Sequence, residues 1–454
     1  MDITNIFRIF ANYNNSIEFN SKKPKMMKQK KHLKVPALAA GTTLVAAMTL
    51  MASCSTDYED KIVYNDIQQP FQQDFLKDTL SFDKLPAEAA RHILNLSDPS
   101  SEIVGKADYT FRTDNLISVK KSAVGDSLVI TSWSAKPVSN VTLEMHIPEA
   151  DEYIPVAFFD SIPAFSRISF RPSFIGRRNI HKKEDGKYVS FVVPYLDLNR
   201  MKARLTSDDE HFKMLQKIDA KWICSFSNFS WNPTAGESCN FREMRPIYAR
   251  EWVVITTNYA YMMTTPEYKY VMANFKKVMG GDLYDNNRVP FSADRYQSEM
   301  ERFKKPKNFV LGQSSPAYGG LGGGATWAVT NWNFYGHYAS FSGWESIAHE
   351  FMHCMDFSHD SNMTYAAKTP EGVNVGWTEF IWQLHMWLSK KGDLPYTDRN
   401  LLGFHKPENA QYRDCDIMQI FQDDAVLQKN IDSFYKKSRL VKYFTENPLK
   451  DNTK

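Results

Sequence analysis

The sequence HEFMHCMDFSH, residues 349–359, combines side chains that can bind a metal ion and activate water. His349 and His353 are four residues apart, a spacing that in a helix places both imidazoles on one face, about one turn from each other. Each can then bring a nitrogen to about 2.0–2.1 Å from a single metal ion. Glu350 points at a different angle, where its carboxylate can take a proton from water as that water attacks a carbonyl group. The pattern therefore predicts metal-assisted hydrolysis of a carbonyl compound.

Two histidines leave a tetrahedral site one protein ligand short. His359 follows His353 by six residues, beyond the expected end of the helix. A sharp turn there can return a third imidazole to the metal and leave the fourth position open, as catalytic zinc requires. Glu379 is a rival third ligand on a second predicted helix, GWTEFIWQLHMW, 26 residues after His353. Both third ligands are compatible with the residues considered so far. If Glu379 does not bind the metal, it is expected to flank the core or to support the site from outside.

These residues resemble the zinc-binding motif of the metzincin metallopeptidases, HExxHxxGxxH, at all three histidines and at the glutamate. The motif's glycine is replaced by Asp356, a residue type that tolerates the left-handed backbone of a sharp turn. The following SNMTY resembles the methionine-containing turn of that clan. The resemblance implies Zn²⁺ as cofactor, Glu350 as general base and acid, Met363 as an apolar floor beneath the metal, and Tyr365 as an oxyanion stabiliser or extra ligand.

The resemblance is specific over residues 349–365 and extends at most over residues 246–400. It implies a zinc-dependent endopeptidase acting on extracellular polypeptides. The match of His359 and of SNMTY to the metzincin pattern favours His359 as third ligand. With Glu379 as third ligand, the site would instead resemble that of the gluzincins. The alternative function is a surface adhesion or glycan- or protein-binding lipoprotein whose zincin-like domain is structural or inactive. Glu350 argues against this alternative, because a purely structural metal site needs no base.

The helix that must hold His349 and His353 is predicted to begin near residue 342. SGWE resembles a capping box, with Ser342 as the N-cap and Glu345 at the third helical position. Apolar residues then recur at helical spacing on the side opposite the two imidazoles. They occupy positions 344, 347, 348, 351, 352 and 355.

The other elements after residue 246 predict an α+β arrangement, in which a zincin-like catalytic domain combines a twisted sheet with the active-site helix. EWVVITTN (251–258) is interpreted as a strand, and TPEYKYVMANFKKVMGG (265–281) as a helix capped by Thr265 and ended by Gly280. NFVLG and ATWAVTNW are further strands, separated by the glycine-rich YGGLGGG, which is interpreted as a flexible connection. ATWAVTNW is the expected sheet edge for pairing with an extended substrate.

The region before the catalytic domain is predicted to be β-rich. VTLEMHI and KWICSF alternate apolar and other residues, as half-buried strands do. We therefore expect a sandwich-like N-terminal domain over residues 101–245, preceded by a tether and short helical segment over 54–100. The catalytic domain with its C-terminal helices would occupy 246–454.

The first 53 residues resemble an export signal. Seven lysines between residues 22 and 34 precede the weakly apolar VPALAAGTTLVAAMTLMAS, which ends immediately before Cys54. LMASC resembles a bacterial lipobox, so Cys54 is the expected lipidation site, and the true start is expected at Met26 or Met27. A transmembrane anchor is the alternative interpretation. The acidic residues after Cys54 resemble the export tag of Bacteroidetes surface lipoproteins, which implies a lipid anchor in the outer membrane and exposure at the cell surface.

Removal of residues 1–53 leaves 47 basic and 50 acidic residues, a formal charge of −3, so no nucleic-acid partner is expected. Four cysteines remain besides Cys54. In an oxidising compartment they can pair in three ways, among which Cys224 with Cys239 and Cys354 with Cys415 are the pairings we expect.

Overall fold

A computed structural model describes residues 80–234, 239–338, 341–413 and 424–449. The expected export signal, Cys54, the tether as far as residue 79 and Cys415 lie outside these residues. None of the helices in the described ranges combines the length and hydrophobicity that a bilayer-spanning segment needs.

The described chain before residue 207 is dominated by strands, as predicted. The strands are β1 (Asp83–Leu85), β2 (Arg91–His92), β3 (Phe111–Arg112), β4 (Ile117–Lys121), β5 (Leu128–Ser132), β6 (Val138–Ile147), β7 (Glu152–Ile162), β8 (Ser166–Phe170), β9 (Arg178–Lys182), β10 (Tyr188–Val192) and β11 (Ala203–Thr206). All of them except β3 form two four-stranded sheets, ordered β1-β7-β6-β11 and β2-β8-β5-β4, and one separate hairpin, β9-β10.

The alternation predicted for VTLEMHI is confirmed in β6. Val141, Leu143 and Met145 are fully buried and Ile147 is nearly so, while the residues between them are only partly buried. One face of this sheet therefore belongs to the hydrophobic core.

Five further strands are β12 (Trp222–Phe226), β13 (Phe241–Arg242), β14 (Lys307–Ser314), β15 (Gly320–Gly323) and β16 (Thr326–Val329). Together with β3 they form a mixed six-stranded sheet in the order β15-β16-β14-β12-β3, with β13 also pairing β14. β12, β14 and β16 run parallel, and β12 also pairs with β3. One sheet therefore combines strands from both sides of residue 246, so it crosses the domain boundary expected there.

The described residues contain eleven α-helices. They are α1 (Ser100–Ile103), α2 (Glu210–Gln216), α3 (Pro246–Met262), α4 (Pro266–Ala273), α5 (Phe275–Met279), α6 (Ala293–Lys304), α7 (Asn331–Gly336), α8 (Phe341–Cys354), α9 (Trp377–Lys391), α10 (Asp424–Lys437) and α11 (Arg439–Glu446). A short hairpin joins β17 (Ala367–Lys368) and β18 (Asn374–Val375), and 3₁₀ turns lie at Ala87–Ala89, Ala107–Tyr109 and Pro407–Tyr412.

The strand predicted for EWVVITTN is wrong, because these residues lie inside α3. Every residue of α3 except Arg250 is buried, so the helix has no polar face and shows no helical period. Its β-branched residues favour a strand locally, and burial on all sides overrides that preference. Trp252 fixes the helix on the sheet, since its indole Nε1 donates to the Gly312 carbonyl at 2.9 Å.

The helix predicted over 265–281 is confirmed with one interruption. The Thr265 side chain caps α4 by accepting from the Tyr268 amide, and Gly280 ends α5 in the left-handed region at a φ of 89°. Asn274 separates the two helices at a φ of −132°.

The glycine-rich connection is itself a strand, contrary to the sequence interpretation. Gly320–Gly323 form β15, which pairs antiparallel with β16. ATWAVTNW is therefore not at the sheet edge: Thr326–Val329 are β16, an internal strand, and Asn331 begins α7. The outermost strand at this end of the sheet is the glycine strand.

The expected disulfide between Cys224 and Cys239 is not formed, because both cysteines are free and buried. Cys354 is also free, and its thiol donates to the Thr326 carbonyl at 2.9 Å. Burial raises the pKa of the Cys354 thiol to about 12, which keeps it protonated and makes it a poor metal ligand.

Candidate metal centre

Helix α8 carries two histidines and the glutamate of the motif. It begins at Phe341, so Ser342 lies within the helix instead of capping it. The predicted apolar stripe is confirmed by the burial of Trp344, Ile347, Ala348, Phe351, Met352 and Met355. Trp327 on β16 holds this face of the helix, since its Nε1 donates to the Ile347 carbonyl at 3.0 Å. Packing of the stripe leaves the opposite face for the imidazoles.

The structure brings the three histidines of the motif together. Nε2 of His353 lies 3.0 Å from Nε2 of His349 and 3.0 Å from Nε2 of His359, and the third separation is 3.3 Å. His349 is buried, His353 half-buried and His359 exposed, so the cluster opens to solvent on the side of His359.

Backbone carbonyls fix the tautomers of the two helical histidines. Nδ1 of His349 lies 2.9 Å from the Thr364 carbonyl, and Nδ1 of His353 lies 2.7 Å from the Phe357 carbonyl. A carbonyl oxygen only accepts, so each Nδ1 must carry the proton. In the neutral rings each Nε2 then presents a bare lone pair. Two lone pairs 3.0 Å apart cannot form a hydrogen bond with each other, whereas both can bind a cation.

The donor set fits a divalent metal such as Zn²⁺. Tetrahedral bonds of about 2.0–2.1 Å place neighbouring ligand nitrogens about 3.3–3.4 Å apart. The observed separations of 3.0–3.3 Å are at or slightly below this value. Burial lowers the pKa of His349 to about 3 and also lowers that of His353, so both rings are neutral and able to bind metal near pH 7.

A left-handed residue ends α8 and sends the chain back toward the helix. Asp356 has a φ of +65°, which confirms that it takes the conformation for which the motif uses glycine. Asn286, from the loop before α6, binds both sides of the turn: its Nδ2 donates to the Asp356 carbonyl at 3.0 Å, and its Oδ1 accepts from the Ser358 amide at 2.7 Å. These bonds fix the backbone immediately before His359.

Residues 358–365 form a second turn, which contacts His349. The Ser361 hydroxyl accepts from the Met363 amide at 3.1 Å, and the Thr364 hydroxyl donates to the Ser358 carbonyl at 3.0 Å. This arrangement directs the Thr364 carbonyl to Nδ1 of His349. Met363 is fully buried, whereas Tyr365 is half exposed, with its ring centroid 4.2 Å from that of His349.

Glu350 lies next to the histidines and is nearly excluded from solvent, with an exposed fraction of 6%. Its Oε1 is 4.0 Å from Nε2 of His349. Burial raises the pKa of its carboxyl to about 8, and a hydrogen bond from the Gly322 amide opposes this shift. A carboxyl with a perturbed pKa beside a potential metal site is suited to proton transfer.

Glu379 does not join the histidines. The only group of three or more potential ligands that converge within the described residues is His349, His353 and His359. The Glu379 carboxylate instead accepts from Nε2 of Gln383 at 2.9 Å. It also faces Glu345, whose pKa is raised to about 7 by burial and by the charge of Glu379.

Sequence reasoning missed two contributors to the site, Asn286 and the glycine strand. Asn286 lies 73 residues before His359 in the chain, and no motif connects them. The glycine run was visible, but its contact with Glu350 depends on how β15 packs against α8.

No protein-family model matches the chain, no curated protein is similar to it in sequence, and no solved structure matches it. The function must therefore be inferred from the geometry of the site and from the motif.

Proposed function

We propose that the protein is a zinc-dependent endopeptidase with a zincin-like catalytic region. The observation that carries this proposal is the convergence of three imidazole Nε2 atoms, at separations of 3.0–3.3 Å, beside a buried carboxyl group. His349, His353 and His359 would hold Zn²⁺, and Glu350 would transfer protons. When bound, the ion supplies positive charge that acidifies water and polarises the carbonyl group of the substrate.

The reaction needs a group that removes a proton from water and returns it to the leaving amine. Glu350 is suited to both steps, because its carboxyl lies against the histidines and is held by the Gly322 amide. A positive charge at the three nitrogens would lower the pKa of Glu350 from about 8, so that the carboxylate can act as a base near neutral pH. The half-exposed hydroxyphenyl group of Tyr365 stands beside His349 and is the candidate donor to the developing oxyanion.

The polypeptide substrate is proposed to bind along β15. This strand is the outermost one at its end of the sheet and packs against α8 beside Glu350. An extended peptide can add to such an edge through main-chain hydrogen bonds, which would place a scissile bond next to the histidines. The proposed edge for pairing with substrate is therefore the glycine strand and not ATWAVTNW, which contains the internal strand β16.

Zinc content and proteolysis test the proposal together. The purified protein is expected to bind one Zn²⁺ and to cleave an unstructured protein such as casein. Glu350→Gln should retain the zinc and lose activity by about a hundredfold or more, since it cannot accept a proton. Glu408→Gln, which changes an exposed carboxylate, is the matched control and should be unaffected.

A protein that binds zinc but cleaves nothing in either form would instead support the adhesion or glycan- or protein-binding function, with a structural metal. A protein that binds no zinc under any loading condition would contradict both the proposed peptidase activity and the proposed cofactor.

We also propose that the chain is exported and lipid-anchored through Cys54 at the outer membrane. The supporting observations are the lysine-rich segment, the apolar run and the LMASC sequence. Metabolic labelling with a fatty acid, compared between wild type and Cys54→Ser, tests the anchor. Label that persists in Cys54→Ser would contradict it.

A further inference from the structure

The inner face of β15 lies so close to Glu350 that no side chain fits there. A methyl carbon on Gly320 would lie 2.5 Å from Cγ and 2.6 Å from Oε1 of Glu350. On Gly322 it would lie 2.5 Å from the main-chain oxygen of Glu350 and 2.7 Å from its Oε2. Real Cβ atoms essentially never approach other heavy atoms closer than 3.0 Å, so both positions require glycine as the chain now packs.

The two positions that require glycine have the two-residue spacing of side chains on one face of a strand. Gly320 and Gly322 are two residues apart and therefore face the same side of β15, toward α8. Gly319, just before the strand, differs: a methyl carbon there would meet only the Ser346 hydroxyl, at an ordinary 3.5 Å. The close packing is thus specific to the two glycines that face Glu350.

Close approach of the backbone has a chemical consequence. It allows the Gly322 amide to donate a hydrogen bond to the Glu350 carboxyl, and it leaves that side chain little room to rotate away from the histidines. Proton transfer depends on geometry, and a displacement of about 1 Å can cost about a hundredfold in rate.

We propose that Gly320 and Gly322 are positioning residues that hold the Glu350 side chain in its place beside the three histidines. The effect of these glycines on catalysis rests on the proposed function, whereas their contact with Glu350 is independent of it. The two glycines act on Glu350 in different ways. Gly320 lies against the side-chain atoms of Glu350, whereas Gly322 also lies against its main chain.

A double-mutant cycle on thermal stability tests the contact without using activity. Gly320→Ala is expected to lower the Tm by several degrees in the wild-type background. In the Glu350→Ala background the same substitution should cost much less, because the atoms that it meets have been removed. Gly322→Ala should lower the Tm in both backgrounds, since the main-chain oxygen and Cα of Glu350 remain. Gly319→Ala is the matched control and should change the Tm little in either background.

Equal losses of Tm for Gly320→Ala in the two backgrounds would overturn the inference, because the glycine would then serve only the backbone of β15. The same holds if Gly320→Ala changes neither the Tm nor the cleavage rate.

Kinetics extends the test to catalysis. Gly320→Ala is expected to lower kcat for peptide cleavage by about a hundredfold, with zinc content and KM unchanged. Gly319→Ala should retain activity. If the wild type cleaves nothing, the proposed function fails while the stability cycle still decides whether the glycines position Glu350.

Discussion

At the scale of single residues, the proposed metal binding depends on which nitrogen of each imidazole is free. The Thr364 and Phe357 carbonyls hold the protons of His349 and His353 on Nδ1 and direct both Nε2 atoms to one point. His359 completes the group from an exposed position, and its Nε2 lies within 3.3 Å of both others. Its contribution to metal binding can therefore be tested separately from that of the helix.

We expect His359→Ala to weaken zinc binding by more than the roughly 10–100-fold that loss of a supporting hydrogen bond causes, because the substitution removes a proposed direct ligand. Competition with a chromogenic chelator measures this affinity. Glu379→Gln is the informative comparison, since Glu379 is the rival third ligand in the sequence and bonds Gln383 in the structure. It should leave the affinity unchanged. The reverse order of effects would assign the third ligand to Glu379 and contradict the metzincin resemblance.

At the scale of elements, the loop before α6 determines where the third histidine goes. Asn286 spans the turn by bonding the Asp356 carbonyl and the Ser358 amide. We expect Asn286→Ala to free this turn and lower zinc affinity about 10–100-fold, as loss of an outer partner of a metal ligand does. The helix and the positions of His349 and His353 should not change. Calorimetric titration with zinc measures the effect.

The exposed neighbour Asn287 provides the matched control, because Asn287→Ala removes the same side chain one position away. Equal zinc affinities for Asn286→Ala and the wild type would show that the left-handed conformation of Asp356 alone suffices to deliver His359.

The elements differ in how far the sequence predicts them. The helix around His349, the left-handed turn at Asp356 and the cap at Thr265 depend on neighbours within a few residues, and each is found as predicted. The predictions for the run 251–258 and for the glycine strand are wrong, because the conformations of these segments depend on contacts remote in the chain. Full burial makes the first a helix despite its β-branched residues, and pairing with β16 makes the second a strand despite its glycines.

At the scale of the whole molecule, one sheet joins the two halves of the chain. β3 and β12 come from the half expected to form a separate domain, yet they pair in the sheet that supports α8. Trp222 on β12 packs against Phe351 on α8, with ring centroids 5.1 Å apart. The local alternation of KWICSF predicts a strand correctly, but it does not reveal which sheet the strand joins, because register is set by distant partners.

Stability of the whole molecule includes the cost of a polar group in its core. His385 on α9 is almost fully buried, and neither of its ring nitrogens has a hydrogen-bond partner among the described residues. Its ring packs against Trp344 of α8 at a centroid distance of 4.6 Å. Replacing an unsatisfied polar group by an apolar one of similar size is stabilising, so we expect His385→Leu to raise the free energy of unfolding by about 1 kcal/mol at pH 7.

The same residue makes stability depend on pH. Burial lowers the pKa of His385 from 6.5 to about 3, so between these values the unfolded chain binds a proton that the folded chain does not. Acid therefore favours unfolding, and His385 lowers the free energy of unfolding by about 1.4 kcal/mol for each pH unit below 6.5 within this window.

The advantage in stability of His385→Leu over the wild type should grow as the pH falls from about 6 to 4, as measured by urea unfolding at each pH. Met386→Leu, a change in a buried neighbour that does not titrate, should show a constant difference. An advantage of His385→Leu that stays constant with pH would mean that the imidazole is protonated in the folded core, and a lower stability at pH 7 would mean that its nitrogens are satisfied.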